Sequence, residues 1–455
     1  MATYDLTPVD VPLVATRYRS IRTKIPVPES VPVFEALAAS EPRSMSGQPP
    51  VVWHRAEGFT VEDKWGNRWI DWSSCVLVAN AGHGRPEIRD ALKRIIDQGL
   101  VASYVFVHEQ RAELCGMLRK LSPDPDAYRV FLLSTGSEAT ENAIKLARTY
   151  ALEKYGPARR FLVSFRNAFH GRTMGAQLAG GMDGQKKWLG DRDPSFVQAP
   201  FPDGYKNTDT SFRPFLATLA EKGIAPDAIA GVMTESYQGV GPDFLPVAYA
   251  KRLEAFCREH DIVTIFDEVQ SGFGRTGKMF CYEHYGVKPD IICCGKGISS
   301  SLPISAVIGR EDIMGLYPPG AMTSTHSASP LPVVAAIANL KILLGERLAE
   351  RAARMETVLM PLLEDIQRRH PDRLGCLHGK GLVAGIQVVK PGTRIPDPDT
   401  ALAINVASMR KGVLMFAPVG IAGECLKIAP PLIIAEDALR ESAQAFGEAV
   451  DEVLG

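Results

Sequence analysis

Between about residues 85 and 330, short apolar runs recur between helix-patterned stretches, and this alternation constrains the fold more than any other feature of the chain. The strand candidates are residues 130–133, 161–165, 229–234, 262–266, 291–294 and 304–308, with helices such as 140–154 and 248–260 between them. Strands that are fully apolar in the middle must be covered on both faces. That pattern implies an α/β fold with a large, mostly parallel sheet flanked by helices. In such sheets ligands sit at the carboxyl ends of the strands, so the residues that follow each run are where chemistry is expected.

The flanks differ. The first fifty residues carry Pro26, Pro28, Pro32, Pro42, Pro49 and Pro50 and read as an extended arm. Residues 53–72 alternate apolar and polar around Gly66-Asn67, as a β-hairpin does. Beyond residue 330 come helical stretches at 331–344 and 347–370, a strand region at 382–388 and a terminal helix. A chain of 455 residues is long for one core, so two packed domains are expected. We expect an N-terminal arm and hairpin (1–75) that belongs to a smaller α+β domain built from both termini. The large domain is expected at 76–330 and the rest of the small domain at 331–455.

A formal net charge of −1 without runs of like charge argues against nucleic acid or an anionic membrane as partner and favours a small molecule. The eight cysteines form no C-x-x-C pair and the histidines offer no zinc spacing, so no metal is expected. Cys293 and Cys294 lie adjacent in an apolar run and read as buried structural thiols. Reduced cysteines fit a cytoplasmic protein. Asp5, Pro8, Asp10 and Pro12 interrupt any signal-like stretch, and no apolar segment has the length of a membrane span.

Three strand ends carry reactive groups. The run 130–133 leads into Ser134-Thr135-Gly136-Ser137 and a helix, where free backbone N–H groups at the positive end of the helix dipole make an anion site. Ser137 would equally serve as a helix N-cap. The run 262–266 ends in Asp267, a carboxylate that needs a cationic partner once buried. The run 291–294 ends in Gly295-Lys296-Gly297. Lysine, unlike arginine, can lose its charge on burial and act as a nucleophile, and the flanking glycines let a ligand approach. A structural Asp267–Lys296 ion pair is the competing reading. Gly272-Phe273-Gly274-Arg275-Thr276-Gly277 matches a dinucleotide-binding G-x-G-x-x-G, but no helix pattern opens at its third glycine, so that reading fails.

The segments 135–148 (TGSEATENAIKLAR), 169–173 (FHGRT), 265–277 (IFDEVQSGFGRTG), 289–297 (PDIICCGKG) and 430–432 (PPL) together resemble the class III aminotransferases of pyridoxal-phosphate (PLP) fold type I, from about residue 50 to the C-terminus. The resemblance implies pyridoxal 5'-phosphate as cofactor. It implies that Lys296 forms a Schiff base with it and moves the reaction's proton, and that Asp267 pairs with the ring nitrogen. It further implies Gly136 and Ser137 at the phosphate, Phe169 stacked on the ring, His170 in the turn beneath, and Gln270 at the ring hydroxyl. Glu235 matches the acid of the family's E-P-x-Q-G segment, and Thr325 the threonine that reaches the phosphate of a neighbouring subunit, hence a homodimer with shared sites.

Departures from the family pattern fall on the substrate side. Lys427 stands where an arginine commonly precedes Pro-Pro-Leu, keeping the charge but losing the bidentate fork. It would hold a carboxylate or phosphate as a point charge, or recognition has moved elsewhere, or it is a surface lysine. Cys75 replaces a usual glycine, and Val76 and Leu77 fall where the family lines its substrate pocket. The expected activity is transfer of an amino group from an amine or ω-amino acid to a 2-oxo acid in a ping-pong cycle. A PLP racemase, decarboxylase or phospho-lyase is the alternative on the same fold.

Overall fold

The computed structural model describes residues 3–455, so the first two residues of the expected arm lie outside it. It divides into two units, Pro86–Ala349 and Met1–Arg85 with Glu350–Gly455. The divisions expected after residues 75 and 330 fall instead after 85 and 349. Helix Pro330–Gly345 explains the second shift. It is buried almost all round, so it must be enclosed, and it packs on helices Pro86–Asp97 and Glu109–Lys120 of the larger unit.

The larger unit is organised by a seven-stranded sheet: β1 (Tyr128–Leu133), β2 (Phe161–Phe165), β3 (Phe196–Ala199), β4 (Ile229–Glu235), β5 (Val263–Asp267), β6 (Ile291–Cys294) and β7 (Ser305–Arg310). Their spatial order is β1-β7-β6-β5-β4-β2-β3. Only β7 is reversed, antiparallel to both β1 and β6. Strands β4, β5 and β6 are buried along their whole length, as their mainly apolar sequences require, and β4 and β5 carry buried acids only at their carboxyl ends. The six expected strands are all present. The one not foreseen, β3, is a four-residue edge strand with alternating burial, its short apolar stretch interrupted by Gln198.

The smaller unit holds the expected hairpin, with Thr60–Glu62 paired to Arg68–Asp71. The Asp63 carboxylate closes its turn by accepting from the backbone N–H of Trp65 and Asn67, both at 2.9 Å. A second, three-stranded antiparallel sheet joins Leu374–Lys380, Val383–Val388 and Cys425–Ile428. The arm is not wholly extended, contrary to expectation: Val31–Ser40 is a helix. Pro32 lies in its first turn, where the fixed φ suits a helix and the missing N–H costs nothing, so this proline starts a helix that composition alone read as broken. No helix among the described residues is long and apolar enough to cross a membrane.

Candidate active site

The sheet register sets the site. Glu235 lies opposite Asp267 and Asp267 opposite Cys293, so β4, β5 and β6 end in one row. At its centre is Asp267. Its Oδ2 lies 2.8 Å from His170 Nδ1, and its Oδ1 accepts from the Val269 N–H at 3.0 Å. Each carboxylate oxygen has a second lone pair, so Asp267 retains acceptor capacity. His170 is buried with its Nε2 unpartnered, an orphaned polar atom of the kind found at functional sites.

Glu235 fixes a neighbouring turn. Its Oε2 accepts from the Phe169 N–H and its Oε1 from the Gly239 N–H, both at 2.9 Å, stapling the turn that carries Phe169 to the end of β4. Burial pushes its carboxyl up to about 7, reinforced by Asp267 and opposed by His170 and the two backbone donors. Gln270 lies alongside: a Cβ on Gly239 would fall 2.9 Å from its Nε2 and 3.1 Å from Glu235 Oε1.

The helix after β1, Gly136–Tyr155, begins with a capping box. Thr135 Oγ1 accepts from the Glu138 N–H, and the Glu138 carboxylate accepts from the N–H groups of Ser134 and Thr135. The N-cap is therefore Thr135, not Ser137, and the box leaves the Gly136 and Ser137 N–H groups unclaimed at the positive helix end. A Cβ on Gly136 would lie 2.8 Å from Val269 Cγ1, and one on Gly295 would lie 3.1 Å from the same atom and 3.6 Å from Gly136 Cα. Val269 thus seats between two glycines. It draws the helix start, the acid end of β5 and the lysine turn of β6 into one small region.

Lys296 follows β6 with φ of 43°, a positive value uncommon for a residue with a side chain. Burial depresses its ammonium, while Asp267 and Glu235 pull in the opposite direction. The lysine and the acid are thus coupled electrostatically within one site. Of the other expected residues, Thr325 is exposed. In the smaller unit Val76 is 42% exposed, whereas Leu77 is packed in the core at 1%, so only Val76 is presented outward. Lys427 is 2% exposed, on the strand Cys425–Ile428, which overturns the surface-lysine reading.

One carboxylate was not singled out by the sequence. Glu268 is fully buried and accepts from Ser271 Oγ at 2.7 Å, the Cys281 N–H at 2.9 Å, the Tyr282 N–H at 2.8 Å and the Ser236 hydroxyl. Burial raises its carboxyl and these donors oppose the rise. It knots the 268–282 loop beneath the site. A second carboxylate directly after the strand-end Asp267 was the available signal.

A pyridoxal phosphate fits this donor set. Its phosphate matches the free amides of Gly136 and Ser137, its ring nitrogen the remaining capacity of Asp267, and its aldehyde the amine of Lys296.

The class III aminotransferase family model matches residues 43–450. A 4-aminobutyrate aminotransferase of Mycobacterium leprae is 33% identical over 435 residues, covering 93% of this chain and 96% of that one. An acetylornithine aminotransferase of Caldanaerobacter subterraneus subsp. tengcongensis is 32% identical over 406 residues, 89% of this chain and 95% of its own. Among solved structures, a thermostable (S)-enantioselective omega-transaminase from Thermomicrobium roseum superposes with a TM-score of 0.84 at 29% identity, over 93% of this chain and 99% of that one. The fold is that of the PLP fold type I transaminases. The chain belongs to the class III aminotransferase family.

Proposed function

We propose that the row of strand ends at Glu235, Asp267 and Lys296 is the cofactor site of this aminotransferase, with Lys296 as the covalent attachment point. The protein is a PLP-dependent aminotransferase that moves an amino group from a donor amine to a keto acid. When bound, PLP supplies the electron-withdrawing ring that makes the donor's C–H bond acidic and carries the amino group between the two substrates. The chain's own residues supply the rest. Asp267 keeps a proton on the ring nitrogen by offering it a negative acceptor, and His170 holds that carboxylate in place at 2.8 Å. Lys296, its ammonium depressed by burial, is poised to accept and return the proton of the substrate carbon. Phe169, fixed through Glu235, covers the ring, and Gly136 and Ser137 hold the phosphate by backbone N–H, with the Ser137 hydroxyl beside them.

The observation that carries this reading is the seat of Val269 between Gly136 and Gly295, which fixes the anion site, the acid and the amine together. Borohydride reduction of PLP-loaded protein followed by peptide mapping tests it. The label is expected on Lys296, and a label on another lysine refutes the assignment.

We further infer ω-amino acids or simple amines as donors and a 2-oxo acid as acceptor, with Val76 and Lys427 on the substrate side. The names of the relatives support such donors, and a donor panel with pyruvate or 2-oxoglutarate discriminates among them. The racemase, decarboxylase and phospho-lyase alternative is not favoured by these relatives. A homodimer is supported by an exposed apolar run: Phe106 and Val107 are 76% and 89% exposed, and Val101, Tyr104 and Val105 accompany them. Tyr104 Oη lies 3.3 Å from Thr323 Oγ1, so this run borders the loop that presents Thr325. Eight free cysteines support a reducing, cytoplasmic setting.

A further inference from the structure

The turn after β6 is held in an unfavourable backbone conformation by a residue from a distant helix. Lys296 has φ of 43° and Ser300 φ of 52°, and such residues persist only where the surroundings over-determine them. Within the turn, the Ile298 N–H bonds the Gly295 carbonyl at 3.1 Å and Ser299 Oγ bonds the Leu302 carbonyl at 2.5 Å. From outside comes Asn339, whose Nδ2 donates to the carbonyls of Gly297 at 2.9 Å and Ile298 at 2.8 Å.

Asn339 is out of character with its helix. Pro330–Gly345 buries eleven residues, and the other ten are apolar. The side chain is fully buried, and its Oδ1 has no hydrogen-bond partner. An amide that leaves its own oxygen unsatisfied is a costly way to fill an apolar position, so the two bonds made by its NH2 group are what the position requires. Both go to the two residues that directly follow the lysine.

We propose that Asn339 is a positioning residue for Lys296, clamping the carbonyls of Gly297 and Ile298 so that the positive-φ lysine aims its amine at the carbon it must attack. This rests on the reading of Lys296 as the attachment point. Losing the clamp lets the turn relax and misplaces the amine, and small misplacements of a reacting group cost far more in rate than in binding.

The test uses Asn339→Leu and Asn339→Ser in the full chain. PLP uptake by PLP-free protein is followed by the visible band and by borohydride-fixed label at Lys296, alongside the pH midpoint of that band and the melting temperature. Asn339→Leu is expected to slow covalent capture at Lys296 on the order of tenfold to a hundredfold and to move the midpoint. Asn339→Ser, which keeps one donor, should recover part of both. Wild-type capture rates and midpoints in Asn339→Leu, even with a lowered melting temperature, mean that the amide only fills space and overturn the proposal. If Asn339→Leu does not fold, wild-type values in Asn339→Ser overturn it equally. Wild-type protein labelled away from Lys296 would remove the cofactor reading itself, and this inference with it; normal wild-type labelling with unaltered variants sinks only the inference.

Discussion

The lysine turn of the larger unit and the turn Ser74–Leu77 of the smaller one both use positive-φ backbone, but they hold it differently. At the first, Lys296 is flanked by glycines and clamped from a distant helix, with only Ser300 sharing the positive φ further along the turn. At the second, four successive non-glycine residues have φ of 48°, 52°, 59° and 62°, and one of them, Val76, is β-branched. The ties there are mostly local. Ser73 Oγ accepts from the Cys75 N–H at 3.0 Å, Asp71 Oδ1 accepts from the Ser73 N–H at 2.7 Å, and Ser74 Oγ donates to the Ala429 carbonyl at 2.6 Å. The lysine turn spends backbone strain on aiming one reactive group. The other turn spends it on shape alone, bringing no ionisable side chain of its own apart from the Cys75 thiol, which burial pushes up. Backbone strain therefore serves chemistry at one turn and shape at the other, and mutations at the two places should separate in kind.

The largest effect belongs to the amine. Lys296→Ala is expected to lose turnover by several orders of magnitude, since it removes both the attachment point and the proton carrier. PLP should still bind through its phosphate, so a colour change on loading without turnover is the expected pair of observations. Next comes Asp267→Asn, which preserves shape and the contact with the Val269 N–H but removes the charge. A loss of about a hundredfold to a thousandfold in kcat, with PLP retained, fits an acceptor that keeps the ring protonated. Near-normal kcat in either variant would place the chemistry elsewhere.

The cluster was readable in advance because its members are chemical exceptions within apolar runs. A lysine between glycines and an acid after IVTIF are visible at the level of single residues, and strand alternation with helices supplied the sheet that brings them together. What stayed hidden depends on partners distant in sequence. The bond from His170 to Asp267, the staple from Glu235 to Phe169 and the clamp by Asn339 each join residues far apart along the chain. The strained turn stayed hidden for a different reason. Where the family usually has glycine, this chain has Cys75, so the residue type that announces positive φ is missing. The helix Val31–Ser40 was obscured by reading its first-turn proline as a breaker.

Glu235 gives the third effect, and its sign is fixed. Its folded carboxyl stands at about 7 against an ordinary 4.5, so the folded state binds more protons between those values. Stability is therefore favoured at low pH and falls as pH rises from 4.5 to 7, by about 3 kcal/mol from this group alone. Glu235→Gln should remove that slope in PLP-free protein. It also leaves one of the Phe169 and Gly239 N–H groups without an acceptor, a loss that does not vary with pH. Denaturation of both proteins across this range separates the slope from the offset. Parallel curves would mean that Glu235 is ionised throughout and acts only as a staple.

The smallest effect tests the strained turn. Left-handed backbone costs a residue with a Cβ roughly 1–2 kcal/mol, and glycine avoids this while losing some stability through a more flexible unfolded chain. Cys75 at φ of 52° is the position to try, because the residue is surface-exposed and, although the thiol is partly desolvated, truncation removes little packing. Cys75→Gly is expected to stabilise the protein by about 0.5–1 kcal/mol, seen as a small rise in melting temperature. The visible band of the PLP-loaded protein should not move, since the ties that hold the turn include Asp71, Ser73 and Ala429 rather than the strand ends of the larger unit's sheet. Destabilisation of similar size would mean that residue 75 is not left-handed in solution. A shifted band would mean that strain at Ser74–Leu77 is felt at the lysine, and the division of roles between the two turns would then fail.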